Sequence, residues 1–227
     1  METCAIDFSS PIRSGTGRGV LEDGTVDACL VQRSYLRAWC QAHPDSPLSA
    51  IVGVEVPDDE PTVSRVLRAF AIALNDGLPD DQRQRLVPYE ARLLGTAAGP
   101  EVEEQRAWMA TDWIVRRFTP TWLRKCGLTD RADELEALPE LTGPELARAA
   151  QPIIDKAKSE AYAAWDAAGD AAGAAAWAAA GAAAGAAAGD AAWDAAWAAA
   201  RDRLAPVTAR LQESASELVK RMCAVAA

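Results

Sequence analysis

Histidine is nearly missing from this chain: His43 is the only one in 227 residues, and no glutamate stands three positions before it. A di-metal carboxylate centre on a helical bundle draws on paired Glu-x-x-His turns, so that chemistry has no ligands here. Cysteine offers little more. Cys4, Cys29, Cys40, Cys126 and Cys223 are odd in number, widely scattered and without a C-x-x-C pair, which argues against a disulfide framework and against a zinc site. No metal and no cofactor is expected. Phe and Tyr are also sparse, at three each, so the eight tryptophans are expected to carry an unusual share of the buried apolar surface.

Catalytic signatures are missing as well. G-x-S-x-G is absent, and no thiol can be paired with His43 by spacing, which leaves His43 as a satisfied loop residue before Pro44. Gly15-Thr16-Gly17-Arg18-Gly19 looks like a phosphate loop only superficially, since neither Gly-Lys-Ser/Thr nor a preceding strand accompanies it. No catalytic residue is assigned. Basic excess is absent too: the formal charge is −10 and the pI about 4.7, which excludes sequence-independent binding to nucleic acid. The opening residues Met1 to Asp7 lack the basic and apolar regions of a secretory signal, so a cytoplasmic protein with reduced thiols is expected. Ala171 to Gly189 carries no charge, but it is alanine and glycine apart from Trp177, and Asp170 and Asp190 flank it, so membrane insertion is not expected.

Helical periodicity dominates what is present. The first thirty residues, rich in Gly, Ser, Thr and Pro, read as an irregular, partly mobile arm. Val31, Tyr35, Leu36 and Trp39 mark a first helix ending before His43-Pro44. A second opens at Glu60-Pro61 with Val63, Val66, Leu67, Phe70, Ala71 and Leu74 on one face, and closes at Asn75-Asp76-Gly77. Pro100 and Glu101, Glu103 and Glu104 start a third, whose apolar face carries Val102, Trp108, Met109, Trp113, Ile114 and Phe118. Pro120 interrupts that helix, and a short one spans Thr129 to Leu138. The carboxylates at 76, 80 and 81 and at 101, 103 and 104 fall at helix ends, where capping explains them. Asp112 and Arg116, four apart, read as a structural ion pair. The expected division is an arm over 1–30, a helical domain over 31–143 and an Ala/Gly/Trp-rich region over 144–227.

That last region has an ordered pattern. Every fourth position from Trp165 reads Gly169, Gly173, Trp177, Gly181, Gly185, Gly189, Trp193 and Trp197, in a stretch that is roughly two-thirds alanine. Such spacing puts knobs and dents along one side of a helix, and each glycine costs about 1 kcal/mol of helix propensity that close packing has to offset. The ladder is therefore a packing or self-association device. Either one long helix bends through it, or the helix breaks at Gly169-Asp170 or Gly189-Asp190.

The run Asn75 to Asp81, with Arg83, Arg85-Leu86, Leu94-Gly95-Thr96, Arg106, Met109-Ala110, Asp112-Trp113, Pro120 and Trp122-Leu123, resembles a family of uncharacterised actinobacterial proteins with Ala/Trp-rich helical tails. The resemblance covers roughly residues 66 to 225 and implies no activity. The tail is also similar in composition to bacterial immunity proteins with repeated Ala-rich helices. Together these features predict an all-α bundle with a long Ala-rich C-terminal helix or helical hairpin, acting as a non-enzymatic protein-interaction module through a protein partner or self-association. The alternatives are an acidic immunity or antitoxin protein that masks a toxin, and an enzyme with a hidden site.

Overall fold

The computed structural model describes residues 6–54, 56, 62–182 and 186–225, and for Trp165 and residues 168–204 the backbone alone. The fold is mostly helical, with one two-stranded sheet among the described residues. The chain forms two compact units, one of Met1–Ala107 with Gln212–Ala227, the other of Trp108–Leu211. The boundaries between these units fall inside the helices Pro100–Trp113 and Ala186–Cys223, where composition does not change.

In the first unit, β1 (Gly19–Val20) pairs antiparallel with β2 (Val26–Asp27). Helix α1 (Leu30–Ala42) follows, then α2 (Arg65–Gly77), α3 (Asp80–Arg83), a 3-10 turn (Gln84–Tyr89) and α4 (Glu90–Leu93). The second helix begins at Arg65, later than Glu60-Pro61 suggested, because Ser64 caps it by accepting the N–H of Leu67 at 3.3 Å. Leu67, Ala71 and Leu74 form its buried face, as the periodicity predicted. Glu60 and Pro61 lie outside the described residues.

The first thirty residues are not a loose arm where they are described. Ile6, Val20, Val26 and Ala28 join Leu36, Ile51 and Val56 in one core cluster. The polar residues of the Asn75 to Arg83 motif and the adjacent Gln84 hold the arm in place. The amide of Gln84 exchanges hydrogen bonds with the N–H and carbonyl of Ile12, Asn75 donates to the carbonyl of Arg13 at 2.9 Å, and Asp76 accepts the N–H of Gly15 at 2.8 Å. Composition reads as mobile here because the partners that order the arm lie some sixty to seventy positions away.

The last turns of α9 (Ala186–Cys223) also belong to this unit. Ala215, Leu218, Val219 and Met222 are buried, and Tyr89 donates to the carbonyl of Ser216 at 3.1 Å. Helix α9 carries Pro206 in its interior.

Helix α5 (Pro100–Trp113) begins in the first unit; in the second, from Trp108 on, it continues through one π turn (Ile114–Phe118) into α6 (Thr119–Lys125). Pro120 was expected to interrupt; it has no N–H to give and its ring crowds the preceding turn, and the wider π turn just before it keeps the helix going. Helix α7 (Thr129–Glu136) packs on α6, and α8 (Pro144–Ala182) packs on α7. Their shared core is Leu123, Ala132, Leu135, Leu138, Leu141, Ala150 and Ala157.

Both Gly-Asp steps lie inside helices, so neither Gly169-Asp170 nor Gly189-Asp190 ends one. Residues 183–185, between α8 and α9, are outside the described residues. None of the described tryptophans is fully buried: Trp39, Trp108, Trp113 and Trp122 are all intermediate. Leu, Ile, Val and Ala make the core in their place, as their compact side chains allow.

Candidate interaction surface

The ladder Trp165, Gly169, Gly173, Trp177, Gly181, Gly185, Gly189, Trp193 and Trp197 lies outside the described side chains, and Gly185 is outside the described residues altogether. Its other members are helical backbone of α8 and α9.

The continuous helix from Pro100 to Lys125 is another matter. Sequence periodicity makes Val102, Trp108, Met109, Trp113, Ile114 and Phe118 a core face, yet none of the six is buried. The one fully buried side chain of α5 is Arg106. It donates to the carbonyls of Thr96 at 2.5 Å, Met222 at 3.1 Å and Val225 at 3.1 Å, and to Glu103 at 2.8 Å. Three carbonyls and a carboxylate satisfy a guanidinium that would be costly to bury alone, and two of those carbonyls belong to the C-terminal end of the chain. Arginine counts as a surface residue in any periodicity scheme, so this anchor left no signal in the pattern.

Further along the helix, apolar side chains face solvent. Ile114 is 47% exposed and Phe118 37%, and Trp122 completes a row spaced by four. Phe118 stands between Trp113, at 5.5 Å between ring centroids, and Trp122, at 6.2 Å in an edge-on arrangement. Those separations are the favourable ones for aromatic pairs, so Phe118 is held in place without being covered. Beside the ridge, Asp112 binds Arg116 at 3.0 Å and also accepts the N–H of Leu141 at 2.8 Å. The ion pair expected from spacing is therefore present and has a structural task, holding the segment before α8 against α5. Arg116 Nε is buried with no hydrogen-bond partner among the described residues.

The remaining motifs find structural uses. His43 stacks on Trp39 at 4.9 Å, and its Nδ1 lies 3.0 Å from the Trp39 carbonyl. The Gly15–Gly19 loop is filled by the chain itself: Asp76 takes the N–H of Gly15 and Gln32 that of Gly17. A Cβ on Gly17 would come within 1.9 Å of the Asp27 carbonyl oxygen, so only glycine fits this crossing. Those N–H groups are unavailable to a phosphate.

Cys126 and Cys223 carry free thiols, whereas Cys40 is disulfide-bonded. The expectation of reduced thiols is corrected at Cys40, because sequence spacing does not report which sulfurs a fold brings together. Among the described residues no group of three or more His, Cys, Asp and Glu side chains could hold a metal ion. No described helix is long and apolar enough to cross a membrane.

No family model, curated protein or solved structure matches this chain. The surface itself therefore carries the functional reading.

Proposed function

We propose that this chain is a non-enzymatic, helical protein-interaction module. The ladder of α8 and α9 serves close helix packing, and the ridge Ile114, Phe118 and Trp122 receives another protein. The ridge carries the reading: a two-turn row of apolar side chains, two of them more than one-third exposed, costs solubility unless something covers it. Its preformed aromatic contacts support the same view, since a docking face that is already ordered loses little entropy on binding. The likeness to the actinobacterial helical family belongs to this proposal as well, and it adds no chemistry. Masking of a basic toxin, the second reading, draws on the charge of −10.

An environment-sensitive apolar dye tests the ridge. The full chain should bind it, and an Ile114→Ser, Phe118→Ser double variant with an unchanged circular dichroism spectrum should lose most of that binding. Equal dye binding by the two proteins would remove the ridge from the account.

A further inference from the structure

The charges beside the ridge point to what covers it. Arg117 and Lys125 are both exposed and neither is within ion-pair distance of a carboxylate among the described residues, while Arg117 stands near enough to Glu136 to help hold that carboxyl down. Arg117 precedes Phe118 directly, and Lys125 stands one turn beyond Trp122. Several neighbouring charges are already engaged. Asp112 holds Arg116, while Arg124 binds Asp133 at 2.6 Å and Glu136 at 2.6 Å. Arg117 and Lys125 thus set two exposed positive charges beside Phe118 and Trp122 in the sequence, on a chain whose formal total is −10.

That local sign separates the candidate occupants. A second copy meeting the ridge across a two-fold axis would set the same surface against itself. Arg117 and Lys125 of one copy would then face those of the other, and the carboxylates of Asp133 and Glu136 are already occupied by Arg124. Like charges so placed oppose association. An acidic segment meets no such penalty. Its carboxylates would find Arg117 and Lys125, and its apolar side chains would find Ile114, Phe118 and Trp122. The ridge runs ~12 Å along the helix axis, from eight steps of 1.5 Å. That length suits two to three turns of a partner helix with anchors at i, i+4 and i+7.

We propose that the ridge binds an acidic amphipathic helix of another protein, with Arg117 and Lys125 selecting for its charge. The inference rests on the reading of the ridge as an interaction surface and adds the chemistry of its partner.

Three synthetic helical peptides of about four turns, sharing one Leu/Phe face and differing only in Glu, Gln or Lys on the polar face, test it by fluorescence anisotropy with the full chain. The Glu peptide should bind at least ~10-fold more tightly than the Lys peptide, and added salt should narrow the gap. Arg117→Glu with Lys125→Glu should invert the order. Phe118→Ala should weaken all three peptides by ~10-fold; Ile114→Ser gives the same readout should Phe118→Ala disturb the fold. A Lys peptide that binds wild-type as well as the Glu peptide, or an order untouched by the charge reversal, overturns the acidic partner. If Phe118→Ala still weakens binding in that case, the ridge stands as an interaction surface and only its charge preference is wrong. Binding by none of the peptides, together with unaltered dye binding in the double serine variant, overturns both.

Discussion

Asp112 grips Arg116 one turn along the same helix at 3.0 Å, and the same carboxylate oxygen accepts the N–H of Leu141 at 2.8 Å. One acceptor thereby fixes both the π turn and the entry to α8. Asp112→Ala leaves a largely buried guanidinium without its counter-charge and a backbone N–H without its acceptor. A loss of about 2 kcal/mol is expected, and Arg116→Met should cost less, because the Asp112 bond to Leu141 survives. Urea unfolding followed at helical wavelengths checks the order of the two variants.

The pair Arg33 and Glu90 sits deeper. Both side chains are 1% exposed and meet at 2.5 Å, and Arg37 binds the other carboxylate oxygen of Glu90. Arg33 also donates to the carbonyls of Phe8 and Ser10. Replacing Glu90 by Gln leaves a buried positive charge short of its partner and should cost about 3–5 kcal/mol. Removing both charges with Arg33→Met and Glu90→Leu should cost less than the sum of the two single changes. A double-mutant cycle measures the difference.

Acid sensitivity should trace in part to Glu103. Burial pushes its carboxyl up, but hydrogen bonds from Ser64, Arg106 and the N–H of Val66 outweigh that, and the net shift is downward from 4.5. A carboxyl depressed in the folded state stabilises while it is ionised. Its contribution is therefore complete above 4.5 and fades as pH falls through the lower folded value. Glu103→Gln should reduce stability at neutral pH and flatten its decline in acid. Denaturant midpoints for both proteins across that range would show parallel declines if Glu103 played no part.

Thiol reactivity should follow burial. Cys126 is exposed, Cys29 is buried, and burial pushes the Cys223 thiol above its usual value. Under native conditions an alkylating reagent should modify Cys126 first, Cys223 more slowly and Cys29 last. Cys40 should react only after reduction. Peptide mass mapping over a time course reads the order.

Local elements were legible where their causes are local. The helix bounded by Pro44, the face Leu67, Ala71 and Leu74, the short helix after Thr129 and the Asp112–Arg116 pair all follow from spacing and capping. What periodicity could not see is where tertiary partners stand. The arm is ordered by Asn75, Asp76 and Gln84 from far along the chain, and the third helix buries Arg106 while leaving Ile114 and Phe118 to solvent. A periodic apolar face signals that something covers it, but not whether the cover is the chain's own core or another molecule.

The ladder makes a sharper demand. Gly181 is on it, and Ala179, two residues earlier in the same helix, is off it. If the spacing has packing meaning, Gly181→Leu should lower the melting temperature by several degrees and Ala179→Leu by much less. Equal losses would strip the spacing of that meaning.

Hydroxyl-radical footprinting of the full chain tests the open ridge most directly, with Tyr162, 61% exposed, as an internal reference. In dilute solution Phe118 and Ile114 should be oxidised at rates approaching that of Tyr162, independently of protein concentration, and addition of the Glu-faced peptide should protect them while Tyr162 stays reactive. Protection of Phe118 and Ile114 in the free chain, at every concentration and without any peptide, would mean that the protein covers its own ridge and would contradict the account.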